Sequence, residues 1–201
     1  MKAESVAFAV AGMCFGVILG WVLATQDATR SDRNAPAPAP AAAPAAAGQR
    51  PPAVLDETRV KALQAAIQQD PRNAGNHAQL GNTYFDAEQW SNAIDAYERS
   101  LQLNPNDVDV STDLGVSYFY ANRADDALAQ FERSLKMNPR HTKTLLNKGI
   151  VLAFGKENLA AAAEEWKKVV EIAPDSPEGQ RARSALEGVA AAHANQGTTN
   201  Q

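Results

Sequence analysis

Between residues 55 and 189 the apolar side chains recur at helical spacing, in blocks of similar length. Leu80, Gly81 and Tyr84 share one face of a predicted helix, and Ala93, Tyr97 and Leu101 share a face of the next. The blocks repeat. Gly81, Gly115 and Gly149 stand 34 residues apart, and each is followed three positions on by Tyr84, Tyr118 or Leu152. A small residue comes next (Ala93, Ala127, Ala162), four positions later a ring (Tyr97, Phe131, Trp166), and then a proline (Pro105, Pro139, Pro174). A fixed period of this length predicts stacked units, each unable to bury its apolar face alone. The third unit has 13 residues from Gly149 to Ala162 where the others have 12, so one residue is inserted, expected near 155–158.

Each unit reads as helix, short turn, helix. The pattern breaks at Trp90–Ser91 and Ala124–Asp125, and Ser91 and Asp125 are the expected N-caps of the second helices. A glycine inside a helix costs about 1 kcal/mol relative to alanine. Three at one repeat position therefore predict close helix approach, with the glycine facing the alanine and the rings filling the seam. Asn104–Pro105 and Asn138–Pro139 end the second helices, because the residue before a proline disfavours helical angles.

The two ends of the array read as covers. Residues 55–69 are amphipathic, with Val60, Leu63, Ala66 and Ile67 on one face, and match a lone second helix when aligned on Pro71. Ser176–Pro177 is an N-cap with a first-turn proline. It opens a helix over 177–189 with Ala182, Ala185, Leu186 and Val189 on its apolar face. Residues 190–201 are small and polar and are expected to form a disordered tail.

Ahead of the array the composition changes twice. Residues 6–25 (VAFAVAGMCFGVILGWVLAT) carry no charge. At about 1.5 Å per residue this run matches a hydrocarbon core of roughly 30 Å. It is longer than a signal-peptide apolar region and Leu23–Asp27 offers no good cleavage site, so it reads as an uncleaved single-pass anchor behind a short tail, 1–5. Gly12, Gly16 and Gly20 lie four apart, a spacing that lets membrane helices pack closely; self-association or docking on another membrane helix is the function it would serve. Residues 26–52 form a linker whose core, 35–52, is built almost wholly of Ala and Pro, a composition that spaces rather than folds. Lys2 against Arg30 and Arg33 gives no clear orientation, but a short segment before a signal-like run favours an exported, periplasmic array. Cys14 is the sole cysteine, so no intrachain disulfide forms.

The repeat resembles the tetratricopeptide repeat, whose signature is Trp-x2-Leu-Gly-x2-Tyr, then Ala-x3-Phe, then Pro. Residues 74–107 carry Leu80-Gly81-x2-Tyr84, Ala93-x3-Tyr97 and Pro105; residues 108–141 carry Leu114-Gly115-x2-Tyr118, Ala127-x3-Phe131 and Pro139. Residues 142–174 keep Ala162-x3-Trp166 and Pro174 but have Lys148 for the leucine and Leu152 for the tyrosine. His77, Ser111 and Leu145 stand where the signature has tryptophan. The resemblance implies an all-α array of three helical hairpins plus two capping helices, spanning 53–189, behind one membrane helix.

Composition and charge narrow the chemistry. The chain has 201 residues and a net charge of −4, with no basic run, which disfavours nucleic acid as a partner. His77, His141 and His193 are far apart and no carboxylate or cysteine cluster has ligand spacing, so no metal and no cofactor are expected. Gly155-Lys156 lacks the rest of a phosphate loop, and Ser111 with Asp113 has no histidine near it in sequence. No catalytic residue is assigned, and the chain reads as a non-enzyme.

In arrays of this family the first helices line a concave surface. The resemblance implies that unit positions 2, 5, 9, 12 and 13 face into it. These are Gly75, Ala78, Asn82, Phe85 and Asp86; Asp109, Thr112, Val116, Phe119 and Tyr120; and Lys143, Leu146, Ile150, Ala153 and Phe154. The resulting groove is apolar and aromatic at its centre and C-terminal side, the composition of an interaction site. Asn82, Phe85, Val116, Phe119, Tyr120, Lys143, Leu146, Ile150 and Phe154 are the expected contacts to an apolar partner segment. Relatives that grip acidic C-termini of heat-shock chaperones use a Lys/Asn/Arg clamp. Asn82 and Lys143 fit it, but Ala78, Asp113 and Asn147 replace its Lys, Asn and Arg, so carboxylate clamping is not expected. The chain thus reads as a membrane-anchored adaptor. Two alternatives share its layout: an accessory subunit presenting apocytochrome c to an assembly machinery, and a self-assembling membrane scaffold.

Overall fold

Each helix start is set by a short polar side chain or a tight turn, and the packing then follows from the small residues inside. The computed structural model describes residues 54–198, and side chains through 191. Residues 1–53, with the expected anchor at 6–25, its Gly12, Gly16 and Gly20, and the linker, lie outside the described residues. Among the described residues no helix is long and apolar enough to cross a membrane.

The described chain forms eight α-helices: α1 (Glu57–Gln69), α2 (Ala74–Asp86), α3 (Trp90–Leu103), α4 (Val108–Tyr120), α5 (Ala124–Met137), α6 (Thr142–Ile150), α7 (Leu159–Ile172) and α8 (Pro177–Thr198). A π-helical turn, Val151–Gly155, extends α6. Helices α2/α3, α4/α5 and α6/α7 are the three hairpins. Asn73 and Asp107 cap α2 and α4 by accepting from the amides of Asn76 and Val110, and Ser176 caps α8 through the amide of Gly179. Asn104 and Asn138 leave the helical region ahead of their prolines, as that neighbour requires.

The turns inside the hairpins differ from expectation. Ser91 and Asp125 do not cap α3 and α5; they lie within the first turn, and the residues ahead, Gln89 and Arg123, make no side-chain cap bond. The chain is turned instead by Glu88, Asn122 and Glu157, all in the left-handed region with φ of 58°, 59° and 52°. Each turn closes on a backbone bond. Gln89 donates to Tyr84 (2.9 Å) and Arg123 to Tyr118 (2.9 Å), but Asn158 donates to Leu152 (2.8 Å), one residue further apart. The inserted residue of the third unit is absorbed there, in the widened turn that Lys156 closes by donating to the Val151 carbonyl at 3.1 Å.

The seam within each hairpin is a glycine against a ring. A Cβ on Gly81 would stand 2.5 Å from the Tyr97 ring, and one on Gly115 2.5 Å from the Phe131 ring; Gly149 meets Trp166 in the same way. The atoms nearest the glycines are therefore ring atoms, not the alanine methyls. Ala93, Ala127 and Ala162 are fully buried beside them. Full burial of such a ring contributes on the order of 2 kcal/mol.

The core crosses unit boundaries. Tyr97, Ala93 and Ile94 of α3 pack with Val110 and Leu114 of α4, and Phe131 of α5 packs with Val151 of the third unit. Leu145, Trp166, Val169 and Ala182 tie α6, α7 and α8 together. Val60 and Leu63 are the buried residues of α1. Lys148, which replaces the signature leucine, sits mostly buried between Glu132 of α5 and Glu165 of α7 (3.0 Å to the latter). Burial alone would pull its ammonium down, but the bonds to the two glutamates outweigh that and hold it above its ordinary value. Helix α8 continues past Val189 to Thr198 through an alanine-rich stretch.

Candidate functional site

The first helices of consecutive units touch side by side. Lys143 of α6 pairs with Asp113 of α4 at 2.7 Å, and the Thr112 and Thr144 hydroxyls bond at 2.6 Å. Phe85 of α2 meets Tyr120 of α4 edge to face, ring centroids 6.0 Å apart. Along this face charged and amide side chains dominate the first half and rings the second, where Asp86 at the end of α2 is the charged member.

The ring half is a contiguous cluster. Tyr120 stacks on Trp90 with centroids 4.7 Å apart and planes at 17°; Trp90 meets Phe85 at 5.1 Å and Phe119 meets Tyr120 at 5.7 Å. Tyr120 is 49% exposed and Phe154 61%. Such pairs contribute about 0.5–1.5 kcal/mol beyond their buried area, so the cluster holds its own shape. Trp90 is the member the sequence reading missed. It opens α3 at a point where the helical pattern breaks, and only the fold brings it under Tyr120.

The polar half is a linked set. Asn82 accepts from the Tyr97 hydroxyl at 2.7 Å. Burial pushes the Asp113 carboxyl up; its hydrogen bond and ion pair with Lys143 pull it back only in part, and Asp109 and Asp107 add to the rise. Tyr97 is pushed well above its ordinary value by burial, then by Asp113 and Asp86. Those two carboxylates therefore act on the same hydroxyl. Asn147 donates to the Lys143 carbonyl at 2.9 Å, and His141 bridges Thr144 (2.7 Å) and Asp109 (3.4 Å).

The expected groove residues divide accordingly. Asn82 and Tyr120 are exposed, as is Phe154; Phe85, Val116, Phe119, Lys143 and Ile150 are half-buried. Leu146 is corrected: it is 6% exposed and belongs to the C-terminal cluster, where its carbonyl accepts from the Trp166 ring nitrogen at 3.2 Å. Thr112 and Ala153 are buried too, the first because its hydroxyl is engaged between α4 and α6. Ile150 packs against the C-terminal cluster, whereas α8 leaves Phe154 largely uncovered.

Elsewhere a hollow of about 480 Å³ lies between α3, α4 and α5. The buried polar atoms in its wall are satisfied: Gln130 donates to Ser111 at 2.7 Å and Ser111 bonds Ser134 at 2.7 Å. Among the described residues no three His, Cys, Asp or Glu side chains are grouped to hold a metal ion.

Comparison with known proteins agrees with this geometry. The family described as TPR repeat matches residues 81–120, and the one described as Tetratricopeptide repeat matches residues 112–177. Residues 81–177 thus match tetratricopeptide-repeat models, and the described residues form an all-helical repeat array of that kind. Similar solved structures include the first TPR of Spaghetti (RPAP3) bound to the HSP90 peptide SRMEEVD, 24% identical, with a TM-score of 0.55, covering 62% of this chain and 96% of that one. MamA is 21% identical with a TM-score of 0.58, over 65% of this chain and 69% of that one. The type III secretion translocator chaperone SycD of Yersinia enterocolitica is 18% identical with a TM-score of 0.56, over 60% of this chain and 93% of that one. Likeness at these identities is likeness of fold. No curated protein matches the chain.

Proposed function

We propose that the chain is a non-enzymatic adaptor: anchored in a membrane by residues 6–25, it holds an apolar segment of a partner protein against the face formed by α2, α4 and α6. The observation that carries this reading is the ring cluster of Phe85, Trp90, Phe119 and Tyr120, in which Tyr120 is exposed; Phe154, in the turn that extends α6, is exposed as well. Water-facing rings held by one another are the anchors that dominate interface energies. An amphipathic helix or an extended peptide laid across the three first helices would cover them. Residues 35–52, at about 3.1 Å per residue, would let the array reach up to roughly 55 Å from the bilayer. Tethering on the periplasmic side raises the effective concentration of a modest binder for clients at that surface.

The test places a photo-crosslinking residue at Tyr120 in native membranes and compares adducts with and without Phe154→Ala. One adduct that disappears with Phe154→Ala supports the face as the docking site. An adduct pattern indifferent to Phe154→Ala removes it. The same preparation distinguishes the client classes: an apocytochrome c in the adduct selects the assembly-subunit reading, and a second copy of the chain selects the scaffold reading. Loss of membrane sedimentation on deletion of 6–25 tests the anchor.

A further inference from the structure

We propose that the segment this face receives is cationic as well as apolar, with Lys or Arg beside its aromatic or aliphatic residues. The inference deepens the adaptor reading and rests on it: the ring cluster makes the site, and the charges around it select the occupant.

Helices α2 and α4 carry Asp86, Asp109 and Asp113 toward this face and contain no Lys or Arg. On α6, Lys148 is held by Glu132 and Glu165, away from the face. Lys143 is held by Asp113 at 2.7 Å. That pairing neutralises one carboxylate and leaves two. Asp86, next to Phe85, is exposed and has no ion pair among the described residues. Asp109 is 68% exposed, and its ion-pair partner among the described residues is the His141 imidazole. The rise in Tyr97 is an independent sign of the same field, since Asp113 and Asp86 both act on its hydroxyl. The register continued into α8 adds Glu178 and Arg181, one charge of each sign, and leaves the balance unchanged.

A cation at this place gains twice. Beside Asp86 it meets an unpaired carboxylate and the adjoining Phe85, Trp90 and Tyr120 rings, whose faces attract Lys and Arg, while Asp109, at the other end of α4, offers a second carboxylate to a longer segment. An acidic segment would meet carboxylates, with the one ammonium already engaged. The peptide SRMEEVD held by the RPAP3 domain has three carboxylate side chains to one Arg. The charge preference here is the reverse.

The experiment displays random peptides against the full chain in zwitterionic nanodiscs, with empty nanodiscs for counter-selection. Three forms are compared: the native chain, Asp86→Asn/Asp109→Asn, and Tyr120→Ala/Phe154→Ala. All four side chains are exposed, so the fold is retained. The expected result is enrichment of Lys or Arg flanking aromatic or aliphatic residues. The best peptide should bind about tenfold more weakly to Asp86→Asn/Asp109→Asn and lose affinity as salt rises. Selection of neutral or acidic apolar peptides, or binding indifferent to salt, overturns the charge inference and leaves the adaptor reading standing. Absence of any peptide preferring the native chain over Tyr120→Ala/Phe154→Ala overturns both.

Discussion

Gly115 and Phe131 occupy each other's space: a Cβ on the glycine would lie 2.5 Å from ring carbon Cε1 of a fully buried phenylalanine. The helix α4 forgoes a better helix former so that α5 can seat its ring. Gly115→Ala would gain about 1 kcal/mol in helix propensity. Forcing the ring aside in a packed seam costs about 1–3 kcal/mol, and more when the neighbours cannot give. The expected outcome is a net loss of stability in urea denaturation. Adding Phe131→Leu should recover part of it, because a smaller side chain vacates the clash.

Tyr97 answers a different question at the equivalent seam. Tyr97→Phe keeps the ring that Gly81 accommodates, as Phe131 does at Gly115, and loses the 2.7 Å bond to Asn82. At pH 7 the cost should be about 1 kcal/mol. The alkaline limb should change more. Tyr97 is raised by burial, then by Asp113 and Asp86; Tyr118 is pushed up to about 12 by burial and its bond to Glu98. A group raised in the folded state contributes stability that is complete below its unfolded value and is lost as pH climbs through its folded value. The native array should therefore weaken above about pH 10, and Tyr97→Phe should weaken less. Urea midpoints at neutral and alkaline pH check this.

Asp113 has the opposite sign from an ordinary paired carboxylate. Burial raises it despite Lys143, so the ionised form costs stability, and the cost disappears as pH falls and the group takes up its proton. Asp113→Asn should raise stability at pH 7 by up to about 1 kcal/mol, with the difference shrinking on acidification. The same change frees Lys143. Titration with SRMEEVD should show the variant binding this acidic peptide more tightly than the native chain does.

Deleting Lys156 tests where the third unit stores its extra residue. The deletion removes the residue that closes the π turn and returns the α6–α7 closure to the span of the other two turns. It also removes an exposed pair with Asp125, which carries little energy. Cooperative unfolding should persist with a shift within about 1 kcal/mol. Loss of cooperativity would show that the wide turn is needed to join α6 to α7.

The chain shows in its sequence what depends on neighbours three or four positions away. The 34-residue period, the Asn-Pro ends of α3 and α5 and the Ser176 cap are local chemistry, and they are readable at sight. Ser91 and Asp125 read as caps because a good capping residue inside the first turn looks the same as one ahead of it. The left-handed Glu88 and Asn122 that place the turn carry no glycine to announce them. Lys148 stands where the signature has leucine, and the partners that hold it, Glu132 and Glu165, lie on two other helices.

Local spacing alone determined that this protein is a row of helical hairpins with small-residue seams, because backbone propensity and i, i+3, i+4 packing act within a turn or two of chain. Which side chains the groove keeps was decided only by tertiary structure. Leu146 was taken into the C-terminal cluster, Trp90 was brought under Tyr120, and Lys143 was tied to Asp113. Each depends on residues that meet across helix boundaries, and burial and charge there are properties of the assembled array.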